Sequence, residues 1–235
     1  MRIPDLDAPR WNLEISLTRQ DRRQPGFFRM KPASAFFRFC ILFFSALLFL
    51  GWVDRAEARI DTVVIDAGHG GHDRGGIRTN YVTEKTVALD VALRLRNELR
   101  RAGFHVVMTR TNDVFVPLSV RCAIANAQRR AIFVSIHFNS AANRDARGVE
   151  TYYYGSAGRL AASIHHRLTR KLGAPDRQIR SRRYFVLRNT RVPAVLVECG
   201  FLTNRYDASL ALKSRYRARL AQEIADGIIA NRRSY

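Results

Sequence analysis

The sequence has few cysteines, no internal repeat and no apolar run long enough to favour a membrane-spanning helix. Its three cysteines are Cys40, Cys122 and Cys199. Cys40 lies in an N-terminal apolar segment, so at most one disulfide could form in the body, and we expect Cys122 and Cys199 to be buried free thiols. The longest apolar run, residues 39–53, has 15 residues, whereas a spanning helix needs about 20.

Acidic residues are also scarce, with 20 aspartates and glutamates against 40 lysines and arginines in 235 residues. Residues 59–235 alone contain 31 basic and 14 acidic side chains, a net charge of +17. Such a charge favours either an anionic polymer as partner or an arginine-rich solvated surface. Because no nucleic-acid-binding motif is present, we expect no nucleic acid partner.

The first 58 residues differ in kind from the rest. Residues 1–29 are polar without periodicity, which predicts a disordered or over-called extension. Residues 30–58 combine basic residues, an apolar run and the sequence Ala-Glu-Ala, which is typical of a signal peptide. Either Met30 is the true start and cleavage follows Ala58, or the segment stays as an uncleaved signal anchor. We favour cleavage, and both alternatives predict export to the periplasm or cell wall.

Three apolar β-branched runs end in residues that can carry chemistry. Residues 62–71 run into a glycine-rich loop at His69, residues 131–139 end near His137, and residues 194–200 end at Glu198. If these runs are parallel strands, they present the three side chains along one edge of a sheet. That edge is where open α/β sheets bind ligands.

Helical patterns separate the runs, and the alternation predicts an α/β fold in residues 59–235. We expect a single domain with a mostly parallel or mixed central sheet and helices on both faces. The clearest helix covers residues 84–102, with Glu84 in its first turn next to the loop of His69. A second helix, residues 117–128, is predicted to turn Val120, Ile124 and Ala127 inward. Residues 176–183 are predicted to form a basic loop and residues 184–187 a short strand.

Two histidines and a carboxylate are a donor set suited to catalytic zinc, which keeps one position open for water. His69, His137 and either Glu84 or Glu198 satisfy this requirement, and the other glutamate is then free to act as general acid and base. Sequence alone does not decide between the two. Since Glu84 is adjacent to the His69 loop, we expect Glu84 to be the ligand and Glu198 the base.

At these positions the sequence resembles the zinc-dependent N-acetylmuramoyl-L-alanine amidases, whose catalytic domain is called amidase type 3. The resemblance covers residues 60–231 and is carried by ordered motifs at residues 63–71, 84–85, 109–113, 117–121, 135–139 and 193–204. It implies a zinc ion on His69, Glu84 and His137, with Glu198 as the catalytic acid and base. The departures are Ala67, where the family usually has proline, and Cys199, where threonine or a small residue is common.

The resemblance further implies cleavage of the amide between N-acetylmuramic acid and L-alanine of peptidoglycan. Some members carry a helical insertion that blocks the site until a partner removes it. Here residues 155–158 lead directly into a helix, so we expect no activator, a monomer, and membrane contact only through an uncleaved N-terminal segment. His72, Asn139 and Arg182 are candidate substrate contacts. The alternatives are another exported zinc amidase or peptidase, or a catalytically silent wall-binding module.

Overall fold

The structure, a computed structural model, describes residues 59–76 and 83–233. The predicted extension and signal segment, residues 1–58, lie outside the described residues and stay predictions. Among the helices of the described ranges, none combines the length and the apolarity that crossing a membrane requires.

A six-stranded mixed sheet forms the centre of the domain, with strand order β2-β1-β3-β6-β4-β5. Neighbouring strands are parallel except β4 and β6, which run antiparallel. The prediction of a single α/β domain with a mostly parallel or mixed sheet is therefore confirmed. The strands are β1 (Thr62–Ala67), β2 (His105–Met108), β3 (Ala131–Asn139), β4 (Val149–Tyr154), β5 (Asp176–Ser181) and β6 (Ala194–Phe201).

The two faces of the sheet are covered unequally. One face, which we call the helix face, packs against three long helices: α1 (Glu84–Arg101), α3 (Gly158–Leu172) and α6 (Ser214–Ala230). The other, the open face, packs against two short helices within the described ranges: α2 (Leu118–Asn126) and α4 (Phe185–Arg188). A further helix, α5 (Arg205–Leu212), connects β6 to α6.

Strand alternation decides which side chains enter each face. On β3, for example, Val134 and Ile136 pack into the apolar cluster of the helix face. Phe133, at the opposite parity, packs into the cluster of the open face. Ser135 and His137 share the parity of Phe133, so they also lie on the open face, towards the carboxyl end of the strand.

Three local predictions were wrong, and all concern the open face or the edge of the sheet. For α2 the inward face was wrong at two of three positions, because Val120 is 44% exposed and Ala127 lies exposed beyond the last turn, while Ile124 packs partly buried against the open face as predicted. The fully buried residues of α2 include Arg121 and Cys122. The predicted basic loop of residues 176–183 contains edge strand β5, and the predicted strand at residues 184–187 is the one-turn helix α4. Each of these predictions rests on the segment's own sequence, whereas the conformation of the segment depends on pairing with, or burial against, distant segments.

Both body cysteines, Cys122 and Cys199, are buried, and within the part of the chain that the structure describes neither forms a disulfide, as predicted. The absence of an insertion after β4 is also confirmed, because a single 3₁₀ turn, Gly155–Ala157, connects β4 to the first residue of α3.

Candidate metal centre

Three side chains converge where the carboxyl ends of β1 and β3 meet the start of α1. Glu84 Oε1 lies 3.0 Å from His69 Nε2 and 2.9 Å from His137 Nδ1. One donor atom from each of the three residues can be chosen so that all lie within 4.8 Å of one another. The structure thus brings together the three residues expected to bind the metal.

Each donor is positioned by a different element. His69 belongs to the loop after β1, and His137 lies within β3, near its end. Glu84 is the first residue of α1, and its carboxylate accepts hydrogen bonds from the backbone amides of Phe138, at 3.1 Å, and Gly76, at 2.7 Å. The carboxylate is consequently fixed to β3 by the backbone as well as by the imidazoles.

The electrostatics keep Glu84 ionised despite its burial. Burial alone raises the pKa of the Glu84 carboxyl, but the hydrogen bonds and charges of His137 and His69 outweigh burial and lower that pKa well below its usual range. A buried carboxylate that stays anionic is suited to bind a cation.

A fourth side chain, that of Asp73, contacts the His69 ring on the side that faces away from Glu84. Asp73 Oδ2 lies 2.9 Å from His69 Nδ1, the ring nitrogen that faces away from Glu84. Burial lowers the pKa of His69, while the bonds and charges of Glu84 and Asp73 raise it, and the net change is upward. A carboxylate behind a histidine is the usual outer partner of a metal-binding imidazole. Two imidazoles, one anionic carboxylate and this outer partner fit a zinc ion.

Glu198 lies beside this cluster, in a row that crosses three strands. Its Cα pairs with His137 on β3 and with Glu150 on β4. Although the residue keeps partial exposure, its Oε2 atom is buried and has no hydrogen-bond partner among the described residues. Burial, followed by the charges of Glu84 and Glu150, raises the pKa of the Glu198 carboxyl well above its usual value. A carboxyl with a raised pKa holds its proton up to a higher pH than an ordinary glutamate does.

A cavity of about 470 Å³ opens beside the cluster on the open face. His69 and His137 line one side of it, while exposed apolar side chains from the segment before α2 and from α4 line the other. These apolar residues include Phe115, Leu118, Tyr184 and Phe185. The cavity lets a large ligand reach the metal donors.

The three predicted substrate contacts have different surroundings. His72 is exposed and stacks on Phe115, with 4.2 Å between ring centroids. The amide of Asn139 is engaged within the chain, because it donates to Glu150 at 2.6 Å and accepts from the backbone of Ser140 at 2.7 Å. Arg182 is exposed, and its backbone amide donates to Tyr153 of β4. A role of these three side chains in substrate binding stays a prediction.

Sequence reasoning missed the buried polar network beneath the donors. Asp66 accepts hydrogen bonds from Arg121, at 2.6 Å, and from Thr109 and Ser135, each at 2.7 Å. Glu150, beside Glu198, was missed as well. The available signal was parity: Asp66 and Glu150 are charged residues inside strands, at positions that share a face with His137 and Glu198.

The sequence that forms this site is similar to that of known proteins. Residues 63–230 match the protein-family model Amidase_3, described as N-acetylmuramoyl-L-alanine amidase. The chain is 38% identical over 175 residues to N-acetylmuramoyl-L-alanine amidase LytC of Bacillus subtilis, a match covering 72% of this chain and 35% of LytC. The chain therefore spans about a third of the length of that relative.

Two solved structures are similar to this fold. The catalytic domain of CwlV, an N-acetylmuramoyl-L-alanine amidase from Bacillus (Paenibacillus) polymyxa var. colistinus, superposes with a TM-score of 0.69 at 38% identity, covering 72% of this chain and 96% of that domain. The amidase AmiC2 of Nostoc punctiforme gives 0.69 and 38%, covering 72% and 95%.

Proposed function

Because this chain belongs to the N-acetylmuramoyl-L-alanine amidase family over residues 63–230, we propose that it hydrolyses the amide between N-acetylmuramic acid and L-alanine of peptidoglycan. The observation that carries the proposal is the row in which Glu198 lies directly beside His137, with its Oε2 buried and without a hydrogen-bond partner in residues 59–76 and 83–233. A proton-holding group next to a cluster of metal donors is the arrangement that amide hydrolysis requires.

His69, Glu84 and His137 would hold the metal, which we propose to be zinc. When bound, zinc supplies a Lewis acid that makes a water molecule nucleophilic near neutral pH. The anionic Glu84 and the support of His69 by Asp73 favour this assignment. The donors require no rearrangement of the sheet to converge, because Glu84 is already bonded to the backbone of β3.

Glu198 would move the proton during hydrolysis. Its carboxylate takes a proton from the attacking water, and its carboxyl then gives that proton to the nitrogen of the departing L-alanine. The raised pKa of this carboxyl favours uptake of the proton from water, because a carboxylate whose pKa is higher is the stronger base. The partial exposure of the residue allows substrate to reach it.

The surroundings also suggest how peptidoglycan would lie. The aromatic side chains that line the cavity, Phe115 among them, suit the apolar face of a sugar ring. His72 is a candidate contact beside them, with its ring centroid 4.2 Å from that of Phe115. Arg182 suits the carboxylates of the stem peptide, and Asn139 is a further candidate contact. The similarity to N-acetylmuramoyl-L-alanine amidase LytC supports a location outside the cytoplasm or at the wall. That location also fits the predicted signal segment of residues 30–58.

The test compares zinc content and release of stem peptides from sacculi for the wild type, Glu198→Gln and Glu84→Gln. We expect Glu198→Gln to keep its zinc and to lose activity by about 10²- to 10⁴-fold, the range for general acid–base groups. Glu84→Gln should lose the metal. The matched control is Glu223→Gln, because Glu223 of α6 is a largely buried glutamate paired with Arg167 of α3 on the helix face, and it should change neither readout.

Three outcomes would contradict the proposal. If Glu198→Gln loses zinc while Glu84→Gln keeps it, the two roles are exchanged. If the wild type releases fragments of the stem peptide instead of intact peptide, the enzyme is another zinc amidase or peptidase. If the wild type binds no zinc and cuts nothing, the domain is a wall-binding module.

The direct passage from β4 into α3 supports activity without an activator. Purified protein should release stem peptides when zinc is the only addition. Silence that a partner protein relieves would contradict this part of the proposal.

A further inference from the structure

The loop that carries His69 has an unusual backbone. Three successive residues have positive φ angles: His69 at 59°, Gly70 at 129° and Gly71 at 60°. Glycine accepts such angles readily, but a histidine in this region costs about 1 kcal/mol or more and persists only where the surroundings enforce it. Something must therefore hold the metal-donor loop in this conformation.

Two buried arginines bind the carbonyl groups of this loop. The guanidinium of Arg121 donates to Ala67 O and His69 O, each at 2.7 Å, and also to Val116 O at 2.9 Å. Arg121 therefore fixes the loop to the start of α2. Among the described residues, the Arg121 guanidinium donates to Val116, Asp66, Ala67 and His69, and to none in the helix turn that carries Glu84.

Arg110 makes the connection that Arg121 lacks. Its Nε donates to Ala67 O at 2.9 Å. Its Nη2 donates both to Gly68 O, at 2.7 Å, and to Lys85 O, at 2.8 Å. Gly68 directly precedes His69, and Lys85 directly follows Glu84. One nitrogen of a side chain that is only 3% exposed thus joins the neighbours of two metal donors.

We propose that Arg110 is a positioning residue for the metal centre, which sets the separation of His69 and Glu84 through the carbonyls of Gly68 and Lys85. The inference rests on the zinc site of the proposed function. Without the guanidinium, two carbonyl oxygens of like partial charge would face each other across a buried gap with no donor between them. The loop and the helix turn would then move apart or admit water, and the donors would lose their spacing.

Lysine cannot replace this arrangement. The guanidinium is planar and presents several N–H groups in fixed directions, whereas the ammonium group is a single point of charge on a flexible stem. Arg110→Lys therefore keeps the charge but can satisfy only part of the set of carbonyls. An outer group that orients metal ligands typically contributes about 10- to 100-fold to metal affinity.

The experiment measures the dissociation constant for Zn²⁺ by competition with a chromophoric chelator, using the full chain as wild type, Arg110→Lys and Arg110→Gln. The matched control is Arg232→Lys, because Arg232 also donates to two backbone carbonyls, Ala102 O at 2.8 Å and Gly103 O at 2.7 Å, but beyond the end of α1 opposite Glu84. Thermal unfolding of each protein in EDTA reports stability independently of the metal.

We expect Arg110→Lys to weaken zinc binding by about 10- to 100-fold while the protein still unfolds cooperatively in EDTA, and Arg232→Lys to leave the affinity unchanged. If Arg110→Gln does not fold, Arg110→Lys decides. Unchanged zinc affinity in a folded Arg110→Lys protein would overturn the inference alone. The inference also fails if affinity falls equally in Arg232→Lys, since the effect would then be one of general stability. A wild type without zinc affinity would overturn the metal assignment itself.

Discussion

The two faces of the central sheet are built from the same strands but differ in what those strands contribute at their carboxyl ends. On the helix face, Ala67, Ile136 and Val197 continue the apolar core to the ends of β1, β3 and β6. On the open face, one residue away in each strand, stand Asp66, His137 and Glu198. Period-two alternation thus lets one sheet be a dry core on one face and a polar site on the other. The comparison teaches that the helix face is held by apolar contacts, while the open face concentrates buried charges and the residues of the candidate metal centre.

The largest effect is expected from a substitution that breaks the buried polar network of the open face. Asp66→Asn removes the negative charge that compensates Arg121, and both side chains are almost fully buried. Because breaking a buried ion pair leaves a charge without compensation, we expect a loss of about 3–5 kcal/mol in the free energy of unfolding. Denaturant unfolding in EDTA measures this loss, and chelator competition should show weaker zinc binding, since Arg121 contacts the carbonyl of His69.

Asp66→Asn is nearly isosteric, so a cavity cannot account for such a loss. A change below about 1 kcal/mol, the range of exposed ion pairs, would show that the pair is not compensated in the way the structure indicates. It would also remove the energetic contrast between the faces.

A second prediction sharpens the comparison from the helix face. Leu95 is fully buried in α1 and packs in the apolar cluster of that face. Leu95→Ala should lower the free energy of unfolding by about 2–5 kcal/mol, because the side chain leaves a cavity in a close-packed core. Zinc affinity should not change in the folded protein, since no polar contact to the donor loop is lost.

If Leu95→Ala weakened zinc binding as strongly as Asp66→Asn, the division of labour between the faces would be wrong. The two variants are therefore best measured together, by denaturant unfolding and by chelator competition.

The difference between the faces also explains what the sequence could predict. The helix face is specified by local periodicity: Val87, Val91, Leu95 and Leu99 recur at four-residue spacing, and all four are buried in α1. The convergence of His69, Glu84 and His137 could be predicted because each lies at the end of an apolar run, directly after one, or at the start of a helix. These signals lie within about twenty residues of chain, where pattern and structure coincide.

The open face depends on distant partners, and there the local pattern failed. Arg121 is the inward residue of α2 because Asp66, 55 positions earlier, neutralises it in the interior. An apolarity pattern places arginine outside, so it turned Val120 inward. Strand β5 is basic and part-exposed, and becomes a strand only by pairing with β4. No window of sequence around either segment contains the partner that decides its structure.

The smallest effect is expected when the same change, aspartate to asparagine, is made at an ion pair between two helices that cover the helix face. Asp90 on α1 receives hydrogen bonds from Arg94 at 2.7 Å and from Arg217 of α6 at 2.6 Å. Burial raises the pKa of the Asp90 carboxyl, but the bonds and charges of the two arginines outweigh burial and lower it. Because the side chain is one-third exposed, solvent screens the pair, and we expect Asp90→Asn to cost no more than about 1 kcal/mol at neutral pH.

The pH dependence of that small loss follows from the direction of the shift. A carboxyl whose folded-state pKa is lowered contributes its stability above the pKa of the unfolded chain, near 3.9, and loses it as the pH falls through the lowered folded-state value. The difference in unfolding free energy between wild type and Asp90→Asn should therefore be constant from pH 7 to about pH 5 and shrink progressively below pH 4. Urea unfolding across that range, with added salt as a second variable, measures it. A loss as large as that of Asp66→Asn, and insensitive to salt, would contradict this prediction. It would mean that the ion pairs of the helix face are as shielded from water as those of the open face. The two faces would then differ in function but not in the energetics of their ion pairs.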